Sequence, residues 1–301
     1  MKKITFVGTG YVGLVGGAGI SEFGHQVTCA DIDQNKIERL KAGEIPIYEP
    51  GLESLVKQNV AKGRLYFSHD VPESIQNADI IFVAVGTPQE SNGEANLSAI
   101  ESVAKTIGKN LNGYKIICTK STVPIGTGKR IEEIIRSVNP NGDFDYVSNP
   151  EFLREGAAVK DFLHPDRVVI GTRTQKAIKV MGEVYRPLYI NETPIISTTV
   201  ETAEMIKYAA NAFLSLKISY INEIANLCEA VGADVQDVAR AMGLDGRISA
   251  KFLHPGPGYG GSCFPKDTHA LAAMGQKNRS PLLTVEAAIK TNASQKVRMV
   301  D

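Results

Sequence analysis

Cys263 sits in the stretch GYGGSCFPKD, behind Gly258, Gly260 and Gly261 and ahead of Lys266 and Asp267. Glycines at that density suit a backbone that a ligand approaches closely. Lys266 is placed to favour a thiolate, and Asp267 to handle protons. An inert thiol in a turn is the competing reading, and residue chemistry alone leaves both open. Lys207 and Asn211 make a second candidate pair, four apart in a helical pattern and so on one face. A lysine on an amphipathic helix is ordinarily solvated, but Ile206, Tyr208, Ala209, Ala210 and Ala212 leave this surface unusually bare.

A third group lies at the start. KITFVGTGYVGLVGG is a β-rich run that breaks into Gly8-x-Gly10-x-x-Gly13 and continues into a small-residue helix; a second strand, HQVTCADID, ends in Asp31. This is the context a dinucleotide turn requires. Gly8 permits the tight turn, Gly10 lets backbone approach a pyrophosphate, and Gly13 lets helix and strand pack closely. The helix N-terminus supplies N–H donors to phosphate. Asp31 would accept from a ribose diol and repel a 2′-phosphate, which favours NAD over NADP.

The elements that must position these residues follow from patterning. Apolar runs DIIFVAVGTP, KIICTKSTVP, DYVSNPEF, RVVIGT and PIISTT read as strands covered on both faces, and helical patterns such as ANLSAIESVAKTIGKNL lie between several of them. The expected class is α/β: a Rossmann-like, doubly wound, mostly parallel sheet over residues 1–199. Ligands gather at the carboxyl ends of such strands, where Thr87, Thr122 and Glu151 fall, although each segment also reads as plain strand-ending turn chemistry. From Thr199 the period becomes helical, predicting one long helix to about Gly232 and an all-α central domain over 200–301.

Composition narrows the class further. The chain has 301 residues, is 43% hydrophobic and 22% charged, and balances 33 basic against 33 acidic residues. Zero formal charge argues against nucleic acid or an anionic membrane as partner. Cys29, Cys118, Cys228 and Cys263 are scattered, without disulfide-framework or zinc spacing; the first three fall in core patterns, and a reducing cytoplasm fits. The opening MKKITFVG imitates a secretory leader, but six glycines from Gly8 to Gly19 argue against that, and no run is long enough to span a bilayer. His164 and His254 share FLHP, and neither indicates a metal.

In order and spacing, GTGYVGL, STVPIGT, NPEFLREG, DFLHPDRVVIG, the Lys207–Asn211 pair and GYGGSCFPKD resemble the nucleotide-sugar 6-dehydrogenases, the UDP-glucose/GDP-mannose dehydrogenase family, over effectively the whole chain. The resemblance implies NAD-dependent, two-step oxidation of a sugar C6 alcohol to a carboxylate. UDP-glucose is the expected substrate, with GDP-mannose or UDP-N-acetylmannosamine as rivals. Cys263 would form a thiohemiacetal and then a thioester, Lys207 and Asn211 would stabilise the oxyanion, and Asp267, Thr122 and Glu151 would manage protons.

For the cofactor, the resemblance implies contacts from Gly8, Gly10, Tyr11, Val12, Gly13, Asp31, Lys36, Thr87, Thr122, Glu155 and Lys266. For the substrate it implies Glu151, Phe152, Leu153, Arg154, Lys207, Asn211, Phe252, Leu253, His254, Pro255, Gly256 and Gly260, with Arg247 reaching a neighbour's substrate across a homodimer built on the central helical domain. Family members continue into a third, UDP-holding domain, so the 301 residues would stop within the central helical part and lack it. A non-catalytic NAD-binding module is the alternative from another class. A plain 3-hydroxyacid dehydrogenase would not need the thiol.

Overall fold

The structure, a computed structural model, describes residues 1–90 and 93–300. Strands and helices run β1 Lys3–Val7, α1 Tyr11–Glu22, β2 Gln26–Ala30, α2 Gln34–Lys41, α3 Leu52–Ala61, β3 Leu65–Ser68, α4 Val71–Gln76, β4 Ile80–Val83, α5 Ser98–Asn110, β5 Lys115–Thr119 and α6 Thr127–Val138. They continue as β6 Phe144–Ser148, α7 Ala158–Leu163, β7 Val168–Thr172, α8 Gln175–Val184, β8 Ile195–Thr198, α9 Val200–Val231, α10 Val235–Gly243, α11 Phe264–Lys277 and α12 Leu283–Arg298. Two compact units result, one of residues 1–87 and 96–207, the other of 88–95 and 208–301.

The first unit is the expected doubly wound sheet, with strand order β3-β2-β1-β4-β5-β6-β7-β8. Every pairing is parallel except β6 with β7. The strands alternate between two cores, as a period of two demands. Ile80 and Phe82 face the core beneath α1, α3, α7 and α8, while Ile81 and Val83 face the core formed with α4, α5 and α6. Two glycines of α1 exist for this packing: a Cβ on Gly17 would stand 2.3 Å from Cys29 Sγ, and one on Gly19 2.1 Å from the Phe162 ring.

Two features depart from the sequence reading. β3, with only LYFS to mark it, is a strand the Ile/Val runs do not reveal. β8 is the sheet edge, with Ile196 43% exposed, and is not covered on both faces.

The second unit is helical. Its part of α9, α10 and the loop residue Leu253 share a small core of Ile221, Ala239 and Leu253. α9 itself is a single helix of 32 residues, as the pattern predicts.

Candidate active site

In the first unit, β1 ends at Val7 and the chain turns at Gly8, whose φ is 101°. A side chain there would be strained and would also press to 2.8 Å from the Ala84 carbonyl oxygen. Gly13 packs so close that a Cβ would fall 1.9 Å from Gly8 O. Gly10 is the N-cap of α1, without a side-chain cap, and space is open where its Cβ would stand. The first-turn N–H groups of α1 beside Tyr11 and Val12 therefore lie behind a bare backbone, the arrangement that receives a pyrophosphate.

Asp31 follows β2. Its Oδ2 accepts from Thr9 N (2.8 Å), Thr9 Oγ1 (2.7 Å) and Lys36 Nζ (3.1 Å), while Oδ1 accepts from the Asp33 N–H at 3.1 Å and keeps capacity for another donor. Burial alone would raise this carboxyl, but the Thr9 hydrogen bonds and Lys36 hold it below its usual range, so it is an anion facing any ribose. The turn, the uncapped helix and the acceptor together fit NAD. Thr87 Oγ1 donates to Thr122 O at 2.9 Å, tying the loops after β4 and β5 together.

The loop after β6 carries a buried ion pair. Glu151 Oε1 accepts from Lys207 Nζ at 2.9 Å, the two side chains only 7% and 5% exposed, and Glu151 Oε2 accepts from Leu153 N at 2.5 Å. The Phe152 ring lies 5.4 Å from the Lys207 ammonium and 3.7 Å from the Arg167 guanidinium. Arg154, by contrast, grips Asp161 through Nε (2.8 Å) and Nη2 (2.5 Å). Glu155 is exposed.

Three buried groups of this unit escape sequence reading. Glu49 accepts from Tyr11 Oη (2.5 Å), Gly156 N (2.8 Å) and Ala158 N (2.7 Å), fastening the segment after Glu155 to the start of α1. Lys120, fully buried, donates to Asn149 Oδ1 (3.1 Å) and O (3.3 Å); burial pulls its ammonium down to about 8, with Cys118 and Glu151 opposing. Glu204 accepts from Gly126 N (2.7 Å) and Gly128 N (2.8 Å) at the head of α6, and burial pushes its carboxyl up to about 7 against those bonds. Only Glu204 leaves a trace in sequence: three residues before Lys207, it must share that residue's face.

In the second unit, Asp267 is completely buried. Its Oδ2 accepts from Asn211 Nδ2 at 2.6 Å and its Oδ1 from Lys266 Nζ at 2.6 Å. Cys263 is the N-cap of α11 and the one exposed cysteine of the four. Its carbonyl accepts the Asp267 N–H at 2.9 Å, so thiol and carboxylate stand at opposite ends of one helical turn. Burial pushes the Cys29 thiol up to about 12 and Cys118 higher still, which leaves both inert.

The glycines before Cys263 divide by cause. Gly258 has φ 101°, and a Cβ there would stand 2.4 Å from Asn292 Oδ1, which accepts the Tyr259 N–H at 2.7 Å. Its reason is the α12 asparagine, not a ligand. Gly260 alone faces open space at a negative φ. Arg247 is 89% exposed and pairs with Asp245. Phe252 has φ 67°, Leu253 is buried, His254 is exposed, and Pro255 and Gly256 are half-buried. Among the described residues no His, Cys, Asp and Glu are grouped to hold a metal ion, and no helix is long and apolar enough to cross a membrane.

Sheet and glycine turn define a dinucleotide-binding fold of the doubly wound α/β class. The chain belongs to the UDP-glucose/GDP-mannose dehydrogenase family: residues 2–189 match its NAD binding domain and residues 201–294 its central domain. It is 56% identical over 300 residues to a UDP-glucose 6-dehydrogenase of Rhizobium meliloti (strain 1021), covering 99% of this chain and 69% of the relative. It is 54% identical over 302 residues to the UDP-glucose 6-dehydrogenase TuaD of Bacillus subtilis (strain 168), covering 100% and 65%. The chain thus spans about two thirds of the length of these relatives. The structure of a UDP-glucose dehydrogenase from the hyperthermophilic archaeon Pyrobaculum islandicum superposes with a TM-score of 0.95 at 37% identity, covering 98% of this chain and 68% of that one.

Proposed function

We propose that the full-length protein oxidises the C6 alcohol of UDP-glucose to the carboxylate of UDP-glucuronate, through a thiohemiacetal and then a thioester on Cys263. The observation that carries this reading is the exposed Cys263 thiol at the head of α11, one turn before a fully buried Asp267 held between Asn211 and Lys266. The names of the relatives more than half identical to this chain support the substrate.

Bound NAD supplies the hydride acceptor for each of the two oxidations. Asp267 receives the proton of the C6 hydroxyl. Cys263 Sγ then bonds to the aldehyde carbon, whose oxygen takes up a proton, so the reactive intermediate stays covalently held. Lys207 and Asn211 give the C6 oxygen donors fixed on a rigid helix: one ammonium proton is committed to Glu151 and one amide proton to Asp267, and the others are free to point at developing charge. Glu151 and Thr122 order the water that adds to the thioester carbon, expelling the thiolate and restoring Cys263. Substrate is gripped by Glu151, Phe152, Leu153 and Arg154, by Gly260, and by the 252–256 loop. Arg154 must then leave Asp161, and Arg247 leave Asp245. Phe213, Tyr220 and Leu227, seven apart on α9 and 62%, 45% and 57% exposed, favour pairing with a second copy along that helix.

The test is the full-length protein with UDP-glucose, GDP-mannose and UDP-N-acetylmannosamine in parallel. Two NADH per UDP-glucose are expected, and none of the acid from Cys263→Ala. One NADH per sugar, or undiminished Cys263→Ala turnover, would refute the covalent scheme; preference for another sugar nucleotide would reassign the substrate.

A further inference from the structure

Residues 244–263, between α10 and α11, contain no helix or strand. A connection of that length inside a folded unit has to be held by specific contacts. It also contains two non-glycine residues in the left-handed region, Ser249 at φ 66° and Phe252 at φ 67°. Such conformations persist only where the surroundings overrule their cost.

One side chain from outside the loop reaches three of its carbonyls. Lys217, on α9, donates from Nζ to the carbonyl oxygens of Ile248 (2.9 Å), Ser249 (3.0 Å) and Lys251 (2.5 Å). An ammonium has three protons and no acceptor, so these carbonyls match its full donor set. They bracket Ser249 and stop one residue short of Phe252. Beyond Phe252 the chain is fixed again, by Leu253 in the small core and by Gly256, whose N–H donates to Asn222 Oδ1 (2.8 Å) and whose carbonyl accepts from Gln295 Nε2 (2.9 Å). Without Lys217, the stretch around Ser249 would lose the three hydrogen bonds that tie it to α9, and Phe252 would keep only its edge contact with the Phe264 ring at 6.1 Å.

We propose that Lys217 is the positioning residue of the sugar-nucleotide loop, holding the backbone of residues 247–252 in its left-handed path before substrate arrives, so that Phe252 is already placed and Arg247 has only to release Asp245. The inference rests on the reading above that this loop meets the substrate. A preformed loop lowers the ordering cost of binding, so its loss falls on the sugar nucleotide and not on the dinucleotide.

The experiment compares wild type, Lys217→Met and Lys217→Arg in the full-length protein. KM and kcat are measured against UDP-glucose and against NAD, and amide hydrogen exchange is followed through residues 247–256. Lys217→Met should raise KM for UDP-glucose about tenfold while leaving KM for NAD and kcat within about twofold, and Lys217→Arg, which keeps the charge and the donors, should recover most of the loss. An unchanged UDP-glucose KM, an equal rise for both substrates, or equal impairment of the two variants would overturn the proposal. If wild type oxidises no sugar nucleotide, the functional reading fails by itself. Lys217 is then judged on exchange alone, and amides of 248–252 no faster in Lys217→Met than in wild type would overturn its role.

Discussion

The Asn211 carboxamide donates to the Asp267 carboxylate across 2.6 Å, in a place from which water is excluded. With Lys266 on the other oxygen, both carboxylate oxygens of Asp267 are held by donors. That clasp defines what a neutral replacement should do.

Asp267→Asn keeps the shape and removes the proton acceptor. Loss of a positioned base costs roughly 10²- to 10⁴-fold, so kcat with UDP-glucose should fall by at least about a hundredfold with the fold intact. Steady-state rates beside circular dichroism make the comparison; a kcat within tenfold of wild type would remove Asp267 from the chemistry.

Asp31 is expected to carry the preference for an unphosphorylated ribose. Asp31→Ser retains an acceptor but removes the charge that repels a 2′-phosphate. The ratio of kcat/KM for NAD to that for NADP should narrow by about tenfold or more, the equivalent of about 1.4 kcal/mol. Kinetics with the two cofactors read it directly, and an unaltered ratio would move the discrimination elsewhere.

Lys120 is a cation buried without a carboxylate in hydrogen-bonding contact, and its replacement should show what that charge costs. Its ammonium titrates near 8 when folded and near 10.4 when unfolded. The unfolded chain therefore binds the extra proton between those values, and stability should rise with pH from about 8 to about 10. Below pH 8 the buried charge costs on the order of 3 kcal/mol. Lys120→Met should remove that rise, and at pH 7 should be no less stable than wild type, because an apolar group of similar length meets no desolvation penalty. Urea unfolding at pH 7, 8.5 and 10 checks it; parallel stability curves for the two proteins would show that the charge is not the cause.

What could be read from the chain follows from how local each signal is. The glycine turn and the long α9 are written in neighbouring residues, by conformational need in one and by period in the other. β3 is short and lacks the Ile/Val run, so nothing local distinguishes it from a loop. Glu49, Lys120 and Lys217 are hidden for a different reason, as is Glu204 apart from its spacing to Lys207. A charged residue in sequence reads as solvated, and each of these becomes structural only through partners far along the chain, as Glu49 does through Gly156 and Ala158. The glycines before Cys263 show the reverse error: their density points to a ligand, but Gly258 answers to Asn292.

Glu204 also bears on the order in which the molecule can be made. The N-cap of α6 is Gly126, which has no side chain to serve the exposed amides, and the acceptor arrives from a residue 78 positions later. On the ribosome the head of α6 therefore stays solvated until α9 has emerged and docked. Its first turn is completed by tertiary assembly, and a peptide of residues 126–138 alone should fray from that end.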